Sequence, residues 1–90
     1  VSAIVCGADV AHGKPDPQVF TLTCERMGLP ASRCVVVEDA PAGIQAARAA
    51  GTRAVAVLIY HPSEAFDGAD LLVDRLADLS VAKLLSLVMD

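Results

Sequence analysis

The chain has few of the residues that mark several common classes of protein. It has no tryptophan, and aromatic residues make up only 3% of its ninety residues, so a core must be built from Ala, Val, Leu and Ile. No uninterrupted apolar run approaches the roughly 18 residues that a membrane-spanning helix needs, and we expect no membrane partner. The chain shows no signal-peptide pattern. It begins with Val1 rather than Met, and we expect it to be a piece of a longer protein.

Positive charge is scarce and scattered along the chain. Seven Lys and Arg residues stand against eleven Asp and Glu residues, which gives a net charge of −4 at pH 7. Proteins that bind nucleic acid cluster basic residues against the phosphates, so we expect no nucleic-acid partner. The three cysteines, Cys6, Cys24 and Cys34, are an odd number without CxxC spacing. Cys6 and Cys34 lie in apolar runs, where a small buried thiol is typical, and the cysteine pattern predicts a reducing, cytoplasmic location.

Short apolar runs alternate with helix-like segments of about ten residues. This alternation predicts an α/β fold with a parallel sheet and flanking helices. The predicted strands cover residues 3–6, 34–37, 54–59 and 71–73. The predicted helices cover residues 17–27, 41–50 and 76–89, with Ser80 as an alternative N-cap for a last helix that begins later.

Two adjacent acids follow the most apolar of these strands. Val35, Val36 and Val37 lead directly into Glu38 and Asp39. Open α/β sheets bind ligands where their strands end, and Mg²⁺ takes one or two carboxylates together with water and phosphate oxygens. The spacing alone fits a second interpretation equally well, in which Asp39 caps the following helix and Glu38 is a neighbouring surface acid.

Two further residues, Lys14 and Gly43, stand at positions where the sequence predicts a defined local structure. Lys14 stands between Gly13 and Pro15, and the prolines of this segment set the local backbone direction. An ammonium held in this way can neutralise a phosphoryl oxygen, although most lysines are merely solvated. Gly43 lies in the first turn of the second predicted helix, where it favours close packing against the sheet.

These features together resemble the C-terminal half of the haloacid dehalogenase superfamily, in the branch of β-phosphoglucomutase-like enzymes and small sugar-phosphate phosphatases. A GKPDP segment is followed about two dozen residues later by an EDxxxG segment, and the combination is highly specific. The resemblance implies that residues 1–90 are the C-terminal part of one Rossmann-like core domain. The matching stretches are residues 4–10, 13–20, 36–47 and 49–51.

The resemblance also implies roles for individual residues. Lys14 is similar to the motif III lysine, which steadies the nucleophile and the transferring phosphoryl group. Asp39 is similar to the motif IV acid that binds Mg²⁺, and Glu38 to the accompanying acid, which is a metal ligand in some members. Ala40 stands where many relatives have Ser. The implied function is a Mg²⁺-dependent phosphohydrolase that acts on a small phosphorylated metabolite through an aspartyl-phosphate, with a phosphomutase as the alternative.

The chain lacks the family's DxDGT/V nucleophile motif, the strand that ends in a phosphate-binding Ser or Thr, and the cap. We therefore predict no turnover by the ninety residues alone. In the family, the nucleophile strand lies beside the strand of the acid pair, and a further strand separates it from the strand at residues 3–6. We therefore expect an open edge at residues 35–37, no native neighbour for residues 3–6, and self-association through open edges.

Three other classes of function compete with this interpretation. The chain is alternatively a non-catalytic, truncated module that associates with or regulates a full-length relative. A phosphoacceptor receiver domain also uses acids at a strand end, but it needs a later central Asp and a still later Lys, and Lys14 comes too early. A dinucleotide-binding fold is disfavoured because no GxGxxG pattern follows any predicted strand.

Overall fold

The computed structural model describes residues 3–6 and 17–88. These residues form four strands, three α-helices and three short 3₁₀ segments, and the elements alternate as the sequence predicts. The strands are β1 (Ala3–Cys6), β2 (Cys34–Glu38), β3 (Arg53–Val57) and β4 (Leu71–Val73). The helices are α1 (Gln18–Met27), α2 (Pro41–Ala50) and α3 (Val81–Val88).

The four strands form one parallel sheet in the order β1-β2-β3-β4. The expectation of an open edge at residues 35–37 is wrong, because Ala3 pairs with Cys34 and Cys6 pairs with Val37. β2 therefore has a neighbour on both sides, and β1 satisfies backbone groups that would otherwise be unpaired. The expectation that residues 3–6 lack a neighbour is wrong for the same reason. The edges of the sheet are β1 and β4.

The alternation of side chains along the central strands divides the core between the two faces of the sheet. Every residue of β2 is buried, as the run of valines predicts. Small residues on the first face let α2 lie close to β3. The buried core of that face consists of Phe20, Val36, Ile44, Ala46, Ala47, Ala54, Ala56 and Phe66. The buried core of the second face, which α3 covers, consists of Val35, Val37, Val55, Val57, Val73 and Leu84.

The predicted ends of the first two helices are confirmed to within one residue. α1 begins at Gln18 with Pro17 as its N-cap, and α2 begins at Pro41. Gly28 and Gly51 end these helices with φ values of 70° and 85°, a left-handed conformation that glycine adopts without steric cost.

The last helix follows the alternative prediction. A 3₁₀ segment at Leu76–Asp78 comes first, and α3 begins only at Val81. The hydroxyl of Ser80 accepts a hydrogen bond from the backbone N–H of Lys83 at 3.1 Å, which is the contact of an N-cap. The prediction of a continuous helix over residues 76–89 is therefore wrong. None of the helices in the described ranges has both the length and the hydropathy to cross a bilayer.

Candidate functional site

The acid pair lies at the carboxyl edge of the sheet, where β2 ends. Glu38 is the last residue of β2, pairs with Ala56 of β3 and is only 2% exposed. Asp39 follows it and is partly exposed. Because side chains alternate along a strand, Glu38 lies on the same face as Val36, the face that α2 covers. The two neighbouring acids therefore have different surroundings.

Glu38 is anchored to the beginning of α2. Its Oε1 atom accepts a hydrogen bond from the backbone N–H of Ala40 at 3.3 Å. A Cβ atom added to Gly43 would overlap Cγ, Cδ and Oε2 of Glu38, so the absence of a side chain at position 43 makes room for the buried acid. The predicted close packing at Gly43 is confirmed, and the side chain against it is that of Glu38.

The interpretation of Asp39 as the cap of α2 is wrong, because the N-cap position is occupied by Ala40. The description of Glu38 as a surface acid is also wrong, because its side chain is buried. Proline at the first helical position sets this register, since its fixed φ suits the start of a helix and its nitrogen needs no hydrogen-bond partner there. The partly exposed carboxylate of Asp39 is therefore not required for capping.

The donor set fits a hard divalent cation only in part. Carboxylate oxygens are ligands that Mg²⁺ accepts, and it commonly binds one or two of them while keeping water and substrate oxygens. Asp39 supplies a partly exposed carboxylate, and the buried carboxylate of Glu38 precedes it in the chain. Among the described residues no group of three or more His, Cys, Asp or Glu side chains could enclose a metal ion. Water and substrate oxygens would therefore complete the coordination of a cation at Asp39.

Lys14, the predicted catalytic cation, lies outside the described residues, as do Asp9 and Asp16. The described elements on either side of its segment are β1 and α1. β1 is parallel to β2 and reaches the carboxyl edge at Cys6, opposite Val37. β1, the described element that precedes Lys14 in the sequence, thus ends at the edge where Glu38 and Asp39 lie.

A polar cleft of about 220 Å³ lies at the opposite, amino edge of the sheet, where no sequence pattern predicted a site. Arg48 donates a hydrogen bond to the carbonyl oxygen of Gly68 at 3.0 Å. The Oδ2 atom of Asp70 accepts one from the backbone N–H of Ala54 at 2.7 Å. These contacts tie the loop before β4 to α2 and β3, so the cleft has a structural explanation. Its lining residues are Arg48, Gly51, Thr52, Arg53, Gly68 and Asp70.

A second feature that the sequence patterns did not predict is that two buried cysteines are neighbours. Cys24 of α1 and Cys34 of β2 are both buried and both free thiols. Burial, and then the neighbouring Cys34 thiol, raise the pKa of Cys24 to about 12. Each cysteine falls on the apolar side of its own element, which the sequence indicates, but the spacing along the chain does not indicate that they are neighbours.

Comparisons with known proteins agree with the architecture. A family model of haloacid dehalogenase-like hydrolases matches residues 1–51, which is more than half of the chain. Validoxylamine A 7'-phosphate phosphatase of Streptomyces hygroscopicus subsp. limoneus is 37% identical over 88% of this chain and 37% of its own length. Fructose-1-phosphate phosphatase of Escherichia coli is 54% identical over 61% of this chain and 29% of its own length.

A solved structure shows the same fold. The putative β-phosphoglucomutase of Bacteroides vulgatus superposes with a TM-score of 0.77 at 30% identity, over 96% of this chain and 37% of that one. The chain therefore belongs to the haloacid dehalogenase-like hydrolases, and its relatives include phosphatases and β-phosphoglucomutase-like proteins. It spans about a third of the length of the proteins that it matches.

Proposed function

We propose that residues 1–90 are the C-terminal part of one core domain and supply the metal-binding half of a Mg²⁺-dependent phosphohydrolase. The observation that carries the proposal is the acid pair at the carboxyl edge of β2. One acid is buried and anchored, and the other is partly exposed at the edge where open α/β sheets bind ligands.

The two acids have different roles in this proposal. Asp39 is the metal ligand, because its carboxylate is partly exposed and is not needed to cap α2. Glu38 fixes the chain direction at the end of β2 through its contacts with Ala40 and Gly43, and it supports Asp39 as an auxiliary ligand. Mg²⁺ bound there would neutralise negative charge on the phosphoryl oxygens.

Lys14 is the proposed cation of the same site. β1 ends at the carboxyl edge of the sheet. A crossover helix that connects parallel strands runs back against their direction, so α1 should begin near that edge. β1 thus ends, and α1 should begin, near the acid pair, and Lys14 lies between these two elements in the sequence. An ammonium at the acid pair would stabilise the charge that develops on a transferring phosphoryl group.

The substrate in the complete protein is proposed to be a small phosphorylated metabolite. Two relatives are named as phosphatases of validoxylamine A 7'-phosphate and fructose 1-phosphate, both small phosphorylated compounds. The likeness to a putative β-phosphoglucomutase supports a phosphomutase as the second candidate. Mixing the complete protein with a sugar phosphate distinguishes them, because a phosphatase releases inorganic phosphate and a mutase yields an isomeric sugar phosphate.

The ninety residues alone are proposed to lack turnover. Phosphoryl transfer through an aspartyl-phosphate requires a positioned nucleophilic carboxylate in addition to a metal site and a cation. The chain contains no DxD pattern that would provide the nucleophile. A phosphate-release assay with Mg²⁺ and fructose 1-phosphate should therefore show no difference between the native chain and Asp39→Ala. Sustained Mg²⁺-dependent hydrolysis that Asp39→Ala abolishes would contradict the proposal.

The sequence encoded upstream of Val1 distinguishes the enzyme from the alternative of a non-catalytic module. A reading frame that continues upstream into a DxDGT/V motif makes the complete protein an enzyme. We further propose that the ninety residues alone self-associate through the free edge of the sheet. Sedimentation at several concentrations should show species larger than one chain, and a single monomeric species would contradict this.

A further inference from the structure

The polar cleft at the amino edge of the sheet brings together two of the few positive charges of the chain. Arg48 lies in the last turn of α2, Arg53 is the first residue of β3, and both line the cleft. The whole chain has only seven Lys and Arg residues and a net charge of −4. Among the residues that line the cleft, two guanidinium groups face one carboxylate, that of Asp70, so the cleft is locally positive.

The guanidinium group of Arg48 is held against the loop before β4. Its Nη1 atom donates a hydrogen bond to the carbonyl oxygen of Gly68 at 3.0 Å. Gly68 has a φ of 87°, and a Cβ atom added there would overlap Nη1, Cδ and Cζ of Arg48. An arginine has five N–H donors and this bond uses one of them, so the group can bind a second acceptor while it stays in place.

Arg53 is only weakly engaged by the acid of the cleft. Its Nη1 atom lies 3.9 Å from Oδ1 of Asp70, which is beyond hydrogen-bonding distance, and the two side chains are 49% and 32% exposed. The Oδ2 atom of Asp70 instead accepts the hydrogen bond from the backbone N–H of Ala54 at 2.7 Å. An exposed ion pair of this length contributes little stability. Arg53 can therefore bind an anion without breaking a strong ion pair.

The volume and the charge of the cleft both limit what it can hold. Pockets for drug-sized ligands measure about 300–1,000 Å³, whereas this cleft measures about 220 Å³. The planar fork of a guanidinium group matches the oxygens of carboxylate and phosphate groups, and two such forks compensate a double negative charge better than a single one. A free phosphate ion suits both limits.

We propose that this cleft binds one inorganic phosphate ion between Arg48 and Arg53. Asp70 opposes the ion through its own negative charge and so limits the affinity. The site is separate from the acid pair, because Arg48 lies about 10 Å along the helix axis from Pro41, where α2 begins. Binding there requires neither Mg²⁺ nor Asp39, so the inference does not depend on the proposed function.

A phosphate titration of the ninety-residue chain, followed by backbone amide NMR shifts, tests the site. The chain is first freed of divalent cations on a chelating resin, and chloride holds the ionic strength constant. We expect saturable shifts at the amides of Gly51, Thr52 and Gly68, which line the cleft, and none at Asp39 and Ala40.

Two variants should move the affinity in opposite directions. Arg53→Gln removes one positive charge and should raise the Kd for phosphate about fivefold or more. Asp70→Asn removes the opposing charge, keeps an oxygen for the N–H of Ala54, and should lower the Kd about twofold or more. A general loss of folding cannot produce both changes. Arg26→Gln is the matched control, because Arg26 is an exposed arginine in the last turn of α1 and does not line the cleft.

The affinity of Arg26→Gln should stay within about twofold of the native value. Equal losses of affinity in Arg53→Gln and Arg26→Gln would overturn the proposal, since net charge would then explain them. Shifts at the cleft amides that are absent, or that grow linearly without saturating, would overturn it too. Saturable shifts confined to Asp39 and Ala40 would place the phosphate at the acid pair and would also overturn it.

Discussion

Gly43 lies against the side chain of Glu38 so closely that a methyl group at position 43 would occupy the space of the buried acid. The two residues belong to consecutive elements, α2 and β2, and their contact fixes how the chain turns from strand to helix. The hydrogen bond from the backbone N–H of Ala40 to Glu38 Oε1 strengthens the same turn. Asp39 lies between these contacts, so its position depends on them.

Gly43→Ala is therefore expected to destabilise the chain. In a helix interior this change ordinarily stabilises by roughly 0.5–1 kcal/mol, because alanine has the better helix propensity. Here the added methyl group would displace Glu38, and such overpacking typically costs about 1–3 kcal/mol. Urea denaturation should show a net decrease in the free energy of unfolding.

The cause is checked with a double-mutant cycle. In a Glu38→Ala background the obstructing side chain is gone, so Gly43→Ala should be neutral or stabilising. An equal loss of stability in both backgrounds would show that the contact with Glu38 is not the reason.

The carboxylate of Asp70 is expected to contribute to stability although it lies far from the acid pair. Its Oδ2 atom accepts a hydrogen bond from the backbone N–H of Ala54 at 2.7 Å, and the N–H of Asp70 donates to the carbonyl oxygen of Ala54 at 2.8 Å. Asp70→Ala leaves the N–H of a buried residue without this acceptor, which should lower the free energy of unfolding by about 1–3 kcal/mol. Thermal or urea denaturation measures the loss.

Two comparisons show whether this hydrogen bond is responsible. Asp70→Asn keeps an oxygen acceptor and should lose less stability than Asp70→Ala. Asp67→Ala removes an exposed acid of the same loop and should change stability by less than about 0.5 kcal/mol. If all three variants lose the same amount, general loop charge rather than the Ala54 contact determines the effect.

The Cys24 thiol should make the reduced chain less stable in alkali. Its pKa is raised from 9.0 to about 12, first by burial and then by the neighbouring Cys34. The contribution of the neutral thiol is fully present below pH 9.0 and is lost as the pH rises through about 12. Between neutral pH and about pH 10.5 the midpoint of urea unfolding should therefore fall more for the native chain than for Cys24→Ala. An identical fall in both chains would contradict the raised pKa.

The fold class and most element boundaries were predictable from local patterns. Valine runs predicted β2, the position of Pro41 predicted the start of α2, and Gly28 and Gly51 predicted the helix ends. The neighbours of the strands were not predictable in this way. The family resemblance implied other strands between β1 and β2, whereas in this chain the two pair directly, since an apolar strand edge binds the nearest strand available.

The sequence predicted where the candidate site lies in the chain, but it did not predict how the two acid side chains are oriented and buried. An acid pair after a buried strand indicates the carboxyl edge, and this is confirmed for Glu38. Which acid is buried depends on side-chain alternation and on the one-residue register of the α2 N-cap, and neither can be decided from two adjacent acids. That Cys34 neighbours Cys24 depends on the tertiary packing, which neither element encodes by itself.

A Mg²⁺ titration followed by backbone amide NMR shifts measures whether Asp39 binds the metal ion as proposed. We expect saturable shifts at Asp39 and Ala40, their loss in Asp39→Asn, and their retention in Asp67→Asn, where the replaced acid is distant in sequence and exposed. Saturable shifts at the same amides in Asp39→Asn, or no saturable shifts there in the native chain, would contradict the proposed role of Asp39.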